Sequence, residues 1–216
     1  MFIIIKTECE MRVTRVQAEE NRRAVIDAAS RLFRERGFDG VGLADLMRAA
    51  GLTHGGFYKQ FSSKVDLIAL ACDRALDSSV DNWTRVVDSG APDVLADLVG
   101  MYLSRSHRDR RADGCALAAL GGDVVRRTGT PDGAAADDAL HQHFGQGVRR
   151  HIHMLERAVQ ASPAHRDLDP LAALSTMVGA LLLARLVDDE TLSGQILDAA
   201  SASLLGPGPA TRKEPA

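Results

Sequence analysis

The sequence predicts an all-α protein, on three observations. Apolar residues recur at helical spacing in almost every stretch, and no alternating strand pattern competes with them. The breaks between those stretches carry Gly, Pro and Asp, as loops do. The charge is split along the chain: residues 1–64 hold 11 Lys/Arg against 8 Asp/Glu, whereas residues 65–216 hold 15 against 21. A mildly basic head on an acidic body is therefore hidden inside a net charge of −3.

The first predicted helix covers 17–36, with Ala18, Val25, Ile26, Ala29, Leu32 and Phe33 on one side and Arg22, Arg23, Arg31 and Arg34 on others. Residues 1–16 are expected to be a flexible arm in which Arg12 and Arg15 are solvated, with minor-groove or phosphate contact as the alternative; Met11 is an alternative start. Gly37 suits a left-handed cap at the end of that helix, and Gly40 and Gly42 are expected to keep the connection loose. A short helix follows over 43–50 with Leu43, Leu46 and Met47 inward, then a turn at Gly51. Thr53 is the predicted N-cap of a third short helix over 54–61, whose Phe57 and Phe61 lie four apart and can anchor one face. Ser63-Lys64-Val65-Asp66 reads as a capping box opening a long helix that runs to 88.

Beyond Gly90 helices are predicted over 92–104, 115–127, 137–160, 170–187 and 190–204. Loops are expected over 105–114, 128–133 and 162–169. The Gly/Pro-rich tail 206–216 is expected to be disordered. The domain division is then 1–16 arm, 17–62 head, 63–205 helical body and 206–216 tail.

Two short helices joined by a glycine turn behind a longer helix suit a helix-turn-helix, whose last helix enters a major groove about 12 Å wide. Gly55 and Gly56 cost about 1 kcal/mol each in a helix relative to Ala, so close backbone approach to DNA is a reason for them. Thr53, His54, Gly55, Gly56, Tyr58 and Lys59 form the predicted DNA face. Tyr58, Lys59 and Lys64 are expected to meet phosphates, and His54 and Lys59 to touch base edges.

The run from Arg23 to Leu70 resembles the DNA-binding domain of TetR-type transcriptional regulators. The residues that carry the resemblance are Ala28-Ala29-Ser30-Arg31-Leu32-Phe33, Gly37-Phe38, Ala49-Ala50-Gly51-Leu52, Gly56-Phe57-Tyr58, Phe61 and Ser63-Lys64. Gly114-Cys115-Ala116-Leu117-Ala118-Ala119-Leu120 is similar to a segment in one branch of that family. The resemblance implies a three-helix head, a body that dimerises through its last two long helices, and an effector pocket whose occupation weakens DNA binding. Two positions depart from the usual pattern. Val41-Gly42-Leu43 lacks the Ser or Thr that often contacts phosphate, and Gln60 stands where a His often precedes the closing Phe.

On this reading the chain is a cytoplasmic homodimer that binds double-stranded operator DNA and a small-molecule effector, without a membrane or a cofactor. Trp83, Met101, Tyr102, Cys115, Phe144, His151 and Met154 are the expected pocket walls. A modest, largely apolar or mildly electrophilic effector fits their character. Leu171, Leu174, Val178, Leu181, Leu182, Leu192 and Ile196 are the expected dimer stripes, with completion of a monomer core as their alternative role. Cys115 is expected in the core, with a redox-sensing thiol as the alternative.

Catalytic and metal chemistry find little support. Cys9, Cys72 and Cys115 form no CxxC pair, and His141, His143, His151 and His153 include no i, i+4 pair. Ser104 and Ser106 lack a nucleophile-elbow context. Arg108, Arg110 and Arg111 are expected to be solvated, with an anionic ligand or partner as the alternative. The competing reading of the whole chain is a helical small-molecule or redox sensor, or an enzyme, with a vestigial helix-turn-helix. No apolar run nears the roughly 18 residues that span a bilayer.

Overall fold

The computed structural model describes the backbone of residues 3–127 and 134–206, and the side chains of 15–127 and 138–206. Among the described residues nine α-helices and three short 3-10 segments follow one another, and no strand occurs. The helices are α1 (Ile3–Arg36), α2 (Leu43–Ala49), α3 (Lys64–Val87), α4 (Val94–Tyr102), α5 (Arg105–Asp109), α6 (Ala116–Arg127), α7 (Ala134–Ala161), α8 (Pro170–Leu186) and α9 (Glu190–Leu205). The tail from 207 and the expected loop 128–133 lie outside the described residues, as does the side chain of Arg12.

The first helix begins at Ile3 rather than at 17. Residues 3–16 contain neither Gly nor Pro, so nothing local stops the helix before the predicted start. Its buried face in the head is Val25, Ala29 and Phe33, spaced by four, and Phe33 meets Phe38 edge to face at 5.6 Å. Gly37 closes the helix at φ +72°, its N–H donating to the Phe33 carbonyl at 2.8 Å. Gly40 has a different purpose from the looseness expected of it: a Cβ there would stand 2.2 Å from the Arg36 carbonyl oxygen. Only a residue without a side chain lets the backbone return so closely to the helix it has just left.

The core has two regions. One joins the head to α3, α6 and α7, with Phe57 and Phe61 packed among Leu67, Ile68, Leu76, Leu120 and Phe144. The other fills the body with Trp83, Leu95, Leu98, Tyr102, Leu155, Met177, Leu181 and Leu197. The first half of α3 therefore belongs to the head's core, so the packing runs continuously across the expected boundary at 62/63. At Ser63 the cap is half of the predicted box. Ser63 Oγ accepts from the Asp66 N–H at 3.1 Å, but the Asp66 carboxylate turns to the N–H and hydroxyl of Ser62.

The segment expected to be a loop at 105–114 is instead α5 followed by a 3-10 turn, Arg111–Asp113. Ser104 caps α5 by accepting from the His107 N–H at 3.1 Å, which gives that serine a structural role. Arg108 is 8% exposed, not solvated. Its guanidinium reaches Asp109 at 2.7 Å, Ser193 Oγ at 2.8 Å and Glu190 at 2.9 Å. Arg185 of α8 then donates to the carbonyls of Arg108 and His107, both at 3.0 Å. The two carboxylates hold Arg108 firmly protonated. These long-range partners, invisible in the local sequence, turn a charge run into a clamped segment.

Candidate nucleic-acid interface and effector cavity

The turn between α2 and the next segment is built at Ala50-Gly51-Leu52. Gly51 takes φ +72°, its N–H donates to the Arg48 carbonyl at 3.0 Å, and the Leu52 N–H donates to the Met47 carbonyl at 2.8 Å. This pair of bonds is a Schellman closure, and the left-handed residue it needs is a glycine. The chain then enters a 3-10 helix, His54–Lys59, shorter and tighter than the α-helix expected over 54–61. The two glycines near its start explain why an α-helix does not take hold. Thr53 occupies the N-cap position in extended conformation, but its hydroxyl makes no capping bond.

Phe57 is fully buried and Phe61 nearly so, with ring centroids 5.4 Å apart. They anchor the segment while Thr53, His54, Gly55, Tyr58 and Lys59 remain exposed, Tyr58 at 69%. Gly55 does not have positive φ, and nothing lies within 4 Å of where its Cβ would stand. Neither backbone strain nor packing inside this chain requires a glycine there. Gly56 is half-buried, and its Cβ would make ordinary contact with Met47 at 3.5 Å.

Arg22, which sequence reasoning missed, holds the far end of the segment. Its guanidinium donates to the Gln60 carbonyl and lies 4.6 Å from the centre of the Phe61 ring. An arginine on the polar face of a helix gives no sign of this in sequence. Lys64 is half-buried, and its Nζ donates to the Phe38 carbonyl at 2.8 Å. That bond ties α3 to the end of α1 and engages one of the three ammonium protons of Lys64.

The body holds a cavity of about 130 Å³ walled by Ser79, Asn82, Trp83, Met101, Tyr102, His107, Arg110, Asp113, Gly114 and Cys115. Four expected wall residues, Trp83, Met101, Tyr102 and Cys115, come together there. Three do not line it. Phe144 packs in the head-side core because its position on α7 faces α3 and α6. Met154 lies in the body core, its sulfur 3.5 Å from the Thr84 hydroxyl. His151 stands one layer behind the wall, 2.8 Å from Ser79 Oγ and edge-on to Trp83 at 4.7 Å. Its Nδ1 is also 2.7 Å from the Gly147 carbonyl, and burial lowers its pKa.

His107 braces the cavity. Its Nδ1 lies 2.7 Å from the Tyr102 carbonyl, and its Nε2 accepts from the Cys115 N–H at 3.0 Å. An imidazole that accepts at Nε2 and faces a carbonyl at Nδ1 is the neutral Nδ1–H tautomer. Burial lowers its pKa accordingly, and Arg185 and Arg110 reinforce that direction against the Tyr102 carbonyl, which raises it. Cys115 is buried, as expected of a core residue.

The same wall touches the head. Arg34 of α1, 7% exposed, donates to the Gly114 carbonyl at 3.0 Å while its other nitrogens bond the Ser30 carbonyl and hydroxyl. Arg31 pairs with Asp113. The predicted dimer residues divide. Leu171, Leu182 and Leu192 are exposed, Val178 and Ile196 are half-buried, and Leu174 and Leu181 face the core at 6% and 0% exposure. Leu183 and Leu186, at 53% and 70%, extend the exposed apolar face beyond what the sequence picked out.

Among the described residues no helix is long and apolar enough to cross a membrane, and no group of three His, Cys, Asp or Glu could hold a metal ion. His143 sits 2.6 Å from Asp73, and His153 lies 3.3 Å from Glu156.

The described residues thus form a helix-turn-helix head packed on a helical body that holds a cavity. Residues 25–71 match the family described as bacterial regulatory proteins, tetR family. Over 79 residues the chain is 35% identical to the HTH-type transcriptional regulator TtgR of Pseudomonas putida, a match that covers 37% of each. The chain thus spans little more than a third of the length of the curated relatives it matches. Two solved structures share the fold more widely. The reduced form of E. coli NemR superposes with TM-score 0.67 over 88% of this chain and 99% of that one, at 21% identity. A TetR-family transcriptional regulator from Cytophaga hutchinsonii gives 0.63 over 89% and 98%, at 18% identity. The family match is confined to residues 25–71, and the helical body shares its fold with these two structures.

Proposed function

We propose that the chain is a homodimeric transcriptional repressor whose 54–59 segments enter successive major grooves and whose body cavity takes a small effector that releases the DNA. Gly55 carries the reading. It is exposed, free of positive φ and free of neighbours, so its missing side chain serves a surface outside this chain. Thr53, His54, Tyr58 and Lys59 surround it with donors suited to phosphates and base edges. In a dimer the two segments would reach half-sites roughly 34–36 Å apart.

The test is DNA selection from a random pool, then titration of Gly55→Ala and Gly55→Leu against the selected site. Both variants should keep wild-type thermal stability to within about 1 kcal/mol, since alanine and leucine are better helix formers. DNA affinity should fall stepwise with side-chain size, by tenfold or more for leucine. Wild-type affinity in both variants removes the groove contact from the reading.

The exposed leucines of α8 and α9 make the dimer face. Leu171, Leu182, Leu186 and Leu192 are all exposed on two helices that pack together, and clustered exposed leucines are the kind of surface that takes a partner. Sedimentation at micromolar concentration should give a dimer, and the double variant Leu182→Glu, Leu186→Glu a monomer. A wild-type monomer contradicts the dimer. Leu174 and Leu181 serve the fold of each protomer instead.

A further inference from the structure

We propose that the body cavity selects a compact neutral ligand, with an apolar body and one hydrogen-bonding oxygen that pairs with the Tyr102 hydroxyl, and that its occupation acts on the head through the 113–115 wall. This rests on the effector reading above and names its chemistry.

Size sets the first limit. A cavity of about 130 Å³ is close to the roughly 150 Å³ site that takes up benzene, so a ligand of about six to nine non-hydrogen atoms fills it. The walls set the shape. Trp83 and Tyr102 meet edge to face with centroids 5.6 Å apart, and Tyr102 and His107 do the same at 4.7 Å. Rings disposed at near right angles favour a flat apolar body over an extended chain.

Polarity sets the rest. The Tyr102 hydroxyl is shut away from solvent, and its one hydrogen-bonding neighbour is the Cys115 thiol, a weak acceptor. A buried hydroxyl so weakly paired carries a desolvation cost that a ligand oxygen reduces, so the site gains affinity from that one polar atom. A charge gains less. His107 is neutral with both ring nitrogens engaged, Asp113 is already paired with Arg31, and Arg110, with only its Nε bonded, to the Ser106 carbonyl, is exposed, so water screens its charge. An anion entering here would lose water in exchange for that one screened counter-charge.

The wall that a ligand would press is the wall that holds α1. Gly114 and Asp113 line the cavity and receive Arg34 and Arg31 from the head. A ligand that shifts Tyr102 also shifts the carbonyl that His107 faces, and with it the Cys115 N–H on the other side of the same ring.

Fluorescence tests the site without DNA, because the chain has one tryptophan and it stands in the wall. Phenol, toluene and benzoate are titrated into the full chain and into Tyr102→Phe. Phenol should quench saturably in the wild type, and its preference over toluene should fall about tenfold in the variant. An unchanged preference, or benzoate binding more tightly than phenol, overturns the proposal. Cys115→Leu, which narrows the same cavity from another wall, should abolish saturable phenol quenching; retained binding in that variant also overturns it. Affinity for the selected DNA is measured separately. A chain that binds DNA but not phenol refutes this inference alone, whereas one that binds phenol but no DNA refutes the regulatory reading.

Discussion

Phe57→Ala is expected to unfold the head, with a stability loss of about 3–5 kcal/mol. The ring is wholly buried, stacked with Phe61 at 5.4 Å and bounded by Tyr58 at 5.1 Å. It is the only buried residue of the 54–59 segment, so its removal leaves six residues without an anchor. The loss is largest where the surroundings cannot collapse, and here α1, α2 and α3 all frame the site. Chemical denaturation followed by circular dichroism measures it. DNA binding should vanish in the same variant, whereas Tyr58→Ala should weaken DNA binding without loss of stability. That contrast separates an anchoring ring from a contacting one only 5.1 Å away, and equal destabilisation by both would contradict the division.

Arg34→Met is expected to cost about 2–4 kcal/mol, mostly from the Gly114 carbonyl left without its charged donor. Arg34 lies where the head meets the cavity wall, and its three bonds to Gly114 and Ser30 use separate nitrogens of one planar group. Lysine has no such fork, so Arg34→Lys should recover only part of the loss. A second readout distinguishes a latch from mere packing. With Arg34→Met, DNA affinity should respond less to phenol than in the wild type, because the carbonyl that moves with the cavity no longer holds α1. Stability within about 0.5 kcal/mol of wild type, the range of an ordinary surface change, would show the latch to be idle.

The sequence exposed what repeats and hid what meets at a distance. Val25, Ala29 and Phe33 announce a helix face because their spacing is local, and Phe57 with Phe61 announces an anchor for the same reason. Gly37 and Gly51 were legible as turn residues because a left-handed backbone favours one residue type. Gly40 was legible only as a glycine, since the 2.2 Å approach to the Arg36 carbonyl is a tertiary fact. Arg108 read as solvated charge and Arg34 only as a residue off the core face of its helix, and each turned out to be buried through partners some 80 residues away. Four of the ten cavity-wall residues were found, through their aromatic and sulfur character. His107, Ser79 and Asn82 were missed because polar residues on helices give no hint of facing inward. Phe144 was misplaced because apolar character says that a residue is buried but not in which of two cores.

The separation of anchors from exposed groups along 54–59 has an evolutionary consequence. Phe57 and Phe61 fix the pitch of the segment, and Arg22 pins its end from beneath. The outward positions 54, 55, 58 and 59 bear no weight in the fold. On the proposed function they would form an interchangeable reading head on a fixed mount, so that drift at these positions would retune DNA preference while the stability of the fold stays the same.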